Sequence, residues 1–271
     1  MPLIGIGTAA ISATQVCDVI GAAEEIGLAL VDTAAERAPW YRNEAAVGDC
    51  LAARGTRRRW FVTTKLFPAD HGPRAAVRAV QASLRNLRVE SIDLLLFHYA
   101  ECWGDICDRA QQEGTWQQSW RALVPFVLNG TVRAMGVSNF SPHQLDELLV
   151  LARETLVPLS VVQGWCDVLH SASDLRRWSE RNGVHFQAYS PLGGQRWKET
   201  PNPVLTHPAI VQIARQKRIT EAQVVLAWVF ARNMSAVPRT TNANHLRANF
   251  ESIKVVLSGA ELKQLDELGD D

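Results

Sequence analysis

The chain has 271 residues, of which 47% are hydrophobic and 21% are charged, so it can bury a large core as one barrel or as two smaller domains. Its 28 basic and 28 acidic residues cancel, which excludes an argument from net charge for a nucleic acid or membrane partner. The sequence shows no signal-peptide pattern and no apolar stretch long enough to span a bilayer, so we expect a cytoplasmic protein with neither kind of partner.

Apolar runs in the sequence predict eight short strands, each followed by helical sequence. The predicted strands are residues 3–7, 28–33, 60–66, 92–97, 132–137, 159–162, 184–189 and 235–237. The predicted helices are residues 12–27, 43–54, 73–87, 116–128, 141–153, 175–181, 208–217 and 220–232, with two more that begin near Asn244 and Ser258. Capping-box patterns mark helix starts at Ser12, Ser141 and Ser258.

This alternation of strands and helices is typical of a closed parallel barrel rather than an open sheet. The sequence shows neither a Pro/Ser-rich linker, nor a shift in composition, nor a short internal repeat. We therefore predict an α/β fold, a single (β/α)8 TIM barrel over residues 1–271 with two extra C-terminal helices. The irregular segments 99–115 and 193–207 follow strands, which puts them at the face where barrels build their sites.

The five cysteines are odd in number, widely spaced and without a C-x-x-C pair. This pattern argues against a disulfide framework and against a zinc site. We expect reduced thiols and no metal at Cys17, Cys50, Cys102, Cys107 and Cys166.

Polar side chains stand at the C-terminal ends of seven successive predicted strands. They are Asp32, Lys65, His98, Ser138 with Asn139, Gln163, Tyr189 with Ser190, and Arg239 with Thr240. Any one of them alone is more often a packing, capping or ion-paired residue than a functional one. Because the C-terminal strand ends of a parallel barrel converge on one mouth, the whole set predicts a single polar cluster.

A phenol, Tyr41, follows the strand that ends at Asp32. A phenol is too weak an acid to donate a proton efficiently at neutral pH unless an adjacent cation lowers its pKa. Lys65 is the candidate cation, Asp32 would hold its ammonium, and His98 would orient a substrate oxygen. Such a set can protonate an oxygen as negative charge develops on it, and carbonyl reduction by hydride is one reaction with that demand.

Seven motifs follow one another along nearly the whole chain: P-L-I-G-I-G-T-A, V-D-T-A with Y-R-N-E, V-T-T-K-L, D-L-L-L-F-H, G-T-V-R-A-M-G-V-S-N-F, A-Y-S-P-L-G and V-P-R-T-T-N. In this order they resemble the aldo-keto reductases. The resemblance implies a barrel that binds NADPH across its mouth without a Rossmann domain, and the chain has no G-x-G-x-x-G motif after any predicted strand.

The resemblance also implies roles for individual residues. Tyr41 would be the proton donor, tuned by Lys65 and Asp32, and His98 would orient the substrate. The implied cofactor contacts include Gly7 and Thr8. Ser138, Asn139 and Gln163 would contact the nicotinamide carboxamide, and Tyr189 would stack on the nicotinamide ring. The pyrophosphate would meet Ser190, Leu192 and Gly193, and the adenosine 2′-phosphate and adenine would meet Arg239, Thr240, Thr241, His245 and Asn249. Trp40, Tyr99 and Trp103 would line the substrate pocket.

The chain departs from the family pattern in four places. The loop between Asp32 and Tyr41 is about four residues longer, with Glu36, Arg37, Ala38 and Pro39 as the apparent insertion. Arg239 replaces the usual lysine and His245 the usual arginine, so we expect NADP(H) with NAD(H) also possible. Tyr99 stands where a tryptophan is common. The family's C-terminal tail and N-terminal hairpin are missing, which predicts an open pocket with weak discrimination between substrates.

We therefore expect a monomeric enzyme that reduces small aldehydes or ketones to alcohols with NADPH. Two alternatives stay open. The chain could be a barrel that binds the cofactor for a regulatory purpose with weak or no turnover, or a reductase recruited to a biosynthetic step. The presence of Asp32, Tyr41, Lys65 and His98 together favours catalysis, because a pure binder has no evident need for all four.

Overall fold

The computed structural model describes residues 1–103, 107, 112–194 and 201–269. Eight parallel strands lie side by side in chain order. They are β1 (Ile6–Gly7), β2 (Leu30–Asp32), β3 (Phe61–Leu66), β4 (Leu94–Phe97), β5 (Met135–Ser138), β6 (Leu159–Trp165), β7 (His185–Tyr189) and β8 (Ser235–Val237). Gly5 N donates to Ala236 O (2.9 Å) and Gly7 N to Pro238 O (3.0 Å), which brings β8 back to β1 and nearly closes the barrel. The predicted barrel is confirmed.

Helices connect the strands, as the alternating pattern predicts. They are α1 (Val16–Glu25), α2 (Glu44–Ala53), α3 (Pro73–Leu87), α4 (Trp116–Leu128), α5 (Pro142–Thr155), α6 (Ser173–Asn182), α7 (Pro203–Thr206), α8 (Pro208–Lys217), α9 (Glu221–Ala231), α10 (Ala243–Glu251) and α11 (Gly259–Asp266). Short 3₁₀ turns lie at Arg57–Arg59, Pro68–Asp70 and Ser252–Lys254. None of the helices in the described ranges is long and apolar enough to cross a membrane.

Capping boxes fix the starts of α4, α5, α9 and α11. In each box the N-cap hydroxyl accepts from the backbone N–H three residues on, whose side chain reaches back, and this satisfies two N–H groups that the helix itself cannot pair. The boxes predicted at Ser141 and Ser258 are confirmed. The one predicted at Ser12 is wrong, because its hydroxyl donates to the Gln15 side chain (2.9 Å) and α1 begins only at Val16.

The described buried apolar side chains form one large core between the barrel and its helices, a small group of Leu94, Leu96 and Val161 on β4 and β6, and another cluster at the barrel mouth. We call the last of these the mouth cluster. Its buried members are Ala34, Ala35, Ala38, Phe67, Ala69 and Cys102, and Tyr41 and Cys107 pack against them. The mouth cluster lies where the chain leaves β2, β3 and β4, so its packing bears directly on the loops around the predicted site.

The expectation of reduced thiols is wrong for four of the five cysteines. Packing of α1 against α2 brings the Cα atoms of Cys17 and Cys50 to 5.3 Å, and the loop after β4 brings those of Cys102 and Cys107 to 5.5 Å. Both pairs form disulfides, at separations that such bonds span without strain of the backbone. Spacing along the sequence could not reveal the first pair, because it depends on contact between two helices. Cys166 stays a thiol, and burial raises its pKa to about 12.

Candidate active site

The mouth of the barrel brings together the side chains that the sequence places at the ends of β2 and β3. Lys65 is almost fully buried, and its ammonium donates to Asp32 Oδ1, to Thr33 O (2.9 Å) and to the Tyr41 hydroxyl (3.0 Å). An ammonium has three N–H donors, so these partners use all of them. The geometry therefore fixes the Lys65 nitrogen between a carboxylate and the phenol oxygen.

The loop that holds the expected insertion places the Tyr41 hydroxyl at Lys65. Ala38 N donates to Ala35 O (2.8 Å) and Tyr41 N to Ala38 O (3.0 Å), so residues 35–41 fold as two successive turns. Ala38 is buried in the mouth cluster, and Arg37 forms an ion pair with Asp70 (2.7 Å) on the neighbouring loop. The loop is thus compact, because apolar packing holds Ala38 and an ion pair holds Arg37.

Asn43 anchors the other side of that loop, a contribution that the sequence analysis missed. Its side chain is fully buried and makes four hydrogen bonds. It donates to Thr8 O and Ile11 O, both at 2.8 Å, and accepts from the hydroxyls of Thr8 (3.2 Å) and Thr33 (3.1 Å). An amide with all its bonds made is a rigid support, two residues after Tyr41. The sequence signals for it were its place at the start of the predicted helix 43–54 and in the motif Y-R-N-E.

The pKa of the Tyr41 phenol is raised well above its usual value, first by burial and then by the negative charge of Asp32. The expectation of a lowered pKa is therefore wrong for the protein alone, since burial and Asp32 both raise the pKa of Tyr41. Burial also lowers the pKa of Lys65, although Asp32 opposes that shift. The consequence is a phenol that keeps its proton at neutral pH, hydrogen-bonded to the buried lysine.

His98 stands at the end of β4 among aromatic rings. Its ring centroid lies 5.7 Å from that of Tyr41, 4.9 Å from Tyr99 and 6.3 Å from Trp40. Trp103 in turn stacks on Trp40, with centroids 6.3 Å apart. Burial and the charge of Lys65 hold the pKa of His98 well below its usual value, so the imidazole is neutral. A neutral imidazole beside a phenol can orient an uncharged oxygen.

The ends of β5 to β7 supply amides and hydroxyls to the same mouth. Asn139 Nδ2 donates to His98 O and to Ser138 Oγ, both at 3.0 Å, and Asn139 Oδ1 accepts from the Tyr189 hydroxyl (2.7 Å). Asn139 and Ser190 both have positive φ, 58° and 49°, directly after β5 and β7. A left-handed backbone at these two points is unusual outside glycine, and it turns the chain sharply as each strand ends.

Two adjoining cavities open at the mouth, and Tyr41, Tyr189 and Ser190 line both. The first has a volume of about 430 Å³, and its lining includes Gly7, Asp32, Leu192, Arg239, Thr240, His245 and Asn249. The second has a volume of about 370 Å³, and its lining includes Trp40, His98, Tyr99, Ser138, Asn139 and Gln163. The structure therefore gathers most of the predicted cofactor residues in the first cavity and most of the predicted substrate residues in the second.

Five predicted site residues do not line these cavities, and one of them is Lys65, which is buried with its ammonium bonded to Tyr41 as described. Thr8 is buried with its hydroxyl bonded as described, and Gly193 forms a turn in which its N–H donates to Ser190 O (2.9 Å). Thr241 is exposed, and Trp103 contacts the second cavity through the rings of Trp40 and Tyr99.

The first cavity also has lining residues that the sequence did not single out. They include Asn202, Leu205, Glu221, Ala222 and Ala248. Asn202 caps α7 at Val204 N (3.0 Å) and donates to Leu192 O (2.8 Å), so it shapes the cavity wall. The asparagine before Pro203 was the available signal for this helix start, but it lies in the segment that we read as irregular.

The residues present fit an extended dinucleotide that carries a phosphate at its adenosine end. Arg239 is exposed at the cavity and forms no ion pair or side-chain hydrogen bond with another described residue, so its guanidinium is available to an anion. At the other end, a Cβ added to Gly7 would lie 2.8 Å from Val237 O, which leaves the cavity floor as bare backbone.

Comparison with known proteins gives a consistent result. The profile of the Aldo/keto reductase family matches residues 3–270. The chain is 35% identical to morphine 6-dehydrogenase of Pseudomonas putida, over 99% of this chain and 88% of that protein. It is 32% identical to aldo-keto reductase family 1 member A1 of Bos taurus, over 99% and 86%. The solved structure of an aldose reductase from Schistosoma japonicum matches with a TM-score of 0.85 at 27% identity, over 100% of this chain and 90% of that one.

Proposed function

Because the chain belongs to the aldo/keto reductase family, whose members are NAD(P)H-dependent oxidoreductases of small-molecule carbonyl compounds, we propose that it reduces aldehydes or ketones to alcohols with NADPH. One observation carries the proposal. The Tyr41 hydroxyl lies 3.0 Å from Lys65 Nζ at the junction of two cavities, one suited to a dinucleotide and one lined by aromatic rings.

Tyr41 is the proton donor in this proposal. Its raised pKa keeps the phenol protonated until a stronger base, the oxygen that gains charge during reduction, comes within reach. Lys65 donates to the phenol oxygen, so it stabilises the phenolate that remains after the transfer. Asp32 in turn holds the lysine ammonium in place.

His98 orients the carbonyl in this proposal, together with the rings around it. A neutral imidazole can donate a hydrogen bond to the carbonyl oxygen without competing as an acid with Tyr41. Trp40, Tyr99 and Trp103 present apolar faces to the rest of the substrate. This arrangement supports small or aromatic carbonyl compounds as substrates.

The cofactor would lie along the first cavity, with its nicotinamide at the junction with the second cavity, which Ser138, Asn139 and Gln163 line. The reduced nicotinamide supplies the hydride. Ser138, Asn139 and Gln163 would hold its carboxamide and Tyr189 would pack against the ring, which fixes the distance from hydride to carbonyl. Arg239, with Thr240 and Asn249 beside it, would hold the adenosine phosphate, and this supports a preference for NADPH over NADH. Because one chain supplies all these groups, we propose a single-domain monomer.

Replacement of Tyr41 with Phe tests the function. We expect NADPH oxidation with nitrobenzaldehyde to fall by at least 100-fold, the lower range for loss of a general acid, while cofactor binding, followed by quenching of tryptophan fluorescence, stays nearly unchanged. Survival of most of the activity would remove Tyr41 from this role. If the unaltered protein binds NADPH but turns over no carbonyl in a panel of reactive aldehydes, the barrel is a cofactor-binding protein instead.

A further inference from the structure

The side chain of Gln163 ties β6 to the opposite wall of the barrel. Its Nε2 atom lies 2.7 Å from Asp32 Oδ2 and 2.8 Å from Gln187 Oε1. All three side chains are buried, and Gln163 and Gln187 are paired neighbours on β6 and β7. β2 and β6 are four strands apart in a sheet of eight, so the bond from Gln163 to Asp32 crosses the barrel interior.

The chemistry of Asp32 determines which way the Gln163 amide points. A carboxylate paired with the Lys65 ammonium only accepts hydrogen bonds, so the Gln163 atom that faces it must be the NH₂ nitrogen. That nitrogen carries a second hydrogen, which points to Gln187. The Gln187 atom that faces it must be an acceptor, so it is the amide oxygen. The Gln187 nitrogen then faces Met1 Sδ at 3.7 Å, which is a weak acceptor. In this series of hydrogen bonds each donor atom faces an acceptor atom.

The oxygen of Gln163 is the atom that this arrangement leaves for the cavity. Among the described residues its hydrogen-bond partner is the Ser138 hydroxyl, at a long 3.4 Å, and both side chains line the second cavity. The Ser138 oxygen also accepts from Asn139. At this point the second cavity therefore has an acceptor, the Gln163 oxygen, next to the Ser138 hydroxyl, which can rotate to donate a hydrogen bond into the cavity.

We propose that Gln187, which touches neither cavity, is a positioning residue for the cofactor. Its oxygen accepts the second Gln163 N–H, and together with Asp32 this holds the Gln163 oxygen toward the cavity, where it would accept from the NH₂ of the nicotinamide carboxamide. The proposal rests on the proposed function, since it needs a nicotinamide in the site. Without Gln187, one buried N–H of Gln163 has no acceptor and Asp32 alone holds the amide, which loosens the orientation of the Gln163 oxygen toward the cavity.

The test compares NADP⁺ with 3-acetylpyridine adenine dinucleotide phosphate, in which a methyl group replaces the carboxamide NH₂. A neutral hydrogen bond is worth about 2- to 10-fold in affinity, so the unaltered protein should bind NADP⁺ tighter by about that factor. In Gln187→Met the ratio of the two dissociation constants should fall toward one, chiefly because NADP⁺ binds less tightly. Tryptophan fluorescence quenching or calorimetry measures both constants without turnover.

A stability control separates positioning from general damage. Leu148→Ala opens a hole in the main core on α5, away from both cavities, so it should lower the melting temperature and leave the ratio unchanged. Gln187→Leu repeats the test with a differently shaped apolar side chain, and circular dichroism checks that each variant folds. The same ratio in the Gln187 variants as in the unaltered protein would overturn the proposal.

The unaltered protein supplies a second, independent outcome. If it binds the two nucleotides equally, the Gln163 oxygen does not meet the carboxamide NH₂, and the proposal for Gln187 is wrong while the proposed function stands. If it binds neither nucleotide, the proposed function itself is wrong. The two failures are therefore distinguishable before any variant is made.

Discussion

The buried side chain of His71 should make the free energy of unfolding of this protein decrease as the pH falls. The side chain follows the 3₁₀ turn after β3 and is almost fully buried, with its ring stacked on Phe97 at 5.8 Å. Its Nε2 lies 2.9 Å from Tyr99 O, which can only accept, so Nε2 carries the proton. The other nitrogen, Nδ1, is buried and has no partner among the described residues. A second proton there would make a buried charge, and burial outweighs the backbone contacts with Tyr99 and Ala100 that favour the charged ring.

The magnitude follows from the pKa. Burial lowers the pKa of His71 from 6.5 to about 4 in the folded protein. Between these values the unfolded chain binds the proton and the folded protein does not, so stability is lost as the pH falls from about 6.5 to about 4 and changes little below that. At 1.36 kcal/mol per pKa unit, the His71 contribution between about pH 7 and about pH 4.5 is a loss of about 2 kcal/mol.

Urea unfolding followed by tryptophan fluorescence measures this effect. At about pH 7 His71→Gln should be less stable than the unaltered protein by about 1 kcal/mol, because it weakens the contact with Tyr99 O. At about pH 4.5 the difference should vanish or reverse. His143→Gln, at an exposed position on α5, controls for the loss of a histidine. Parallel pH dependence in His71→Gln and the unaltered protein would refute the reasoning.

Three further predictions concern the site and the disulfides. Arg239→Ala should raise the KM for NADPH by about tenfold more than the KM for NADH, since it removes a charge-assisted contact to the 2′-phosphate, and equal increases would argue against that contact. The kcat/KM for reduction should fall with rising pH already below pH 10.5, because burial lowers the pKa of Lys65 while the pKa of Tyr41 is raised. The Lys65→Met variant should lack this decrease at high pH. Loss of the disulfide between Cys17 and Cys50, which are 33 residues apart, should cost about 2–4 kcal/mol in urea unfolding, and a Cys17→Ser/Cys50→Ser variant that is as stable as the oxidised protein would contradict that value.

Features that depend on local pattern could be predicted from the sequence. The β3 to α3 region is an example, because its β-branched run predicts a strand and the strongly amphipathic run after it predicts a helix. The structure gives α3 the predicted bounds of Pro73–Leu87. The convergence of Asp32, Lys65 and His98 followed from the same logic, since parallel strands of a barrel end at one face.

Features that depend on contacts across the fold could not be predicted in this way. The Cys17–Cys50 disulfide needs α1 to lie on α2, and the raised pKa of Tyr41 needs a depth of burial that no residue spacing reveals. Gln187 reads as an ordinary polar residue in an apolar strand, and its role emerges only once β6 and β7 are paired in register. Electrostatic tuning and side-chain orientation are set by the packed interior rather than by the local sequence.

The separation of the mouth cluster from the main core affects how such a protein can diversify over generations. The apolar side chains of the loop between Asp32 and Tyr41 pack in the mouth cluster and not in the main core, so a substitution among them falls first on a handful of small side chains around Phe67. Ala38 packs there in this chain, and the hydroxyl of Tyr41 reaches Lys65. Substitutions at the barrel entrance can therefore change its shape while the main core keeps its packing.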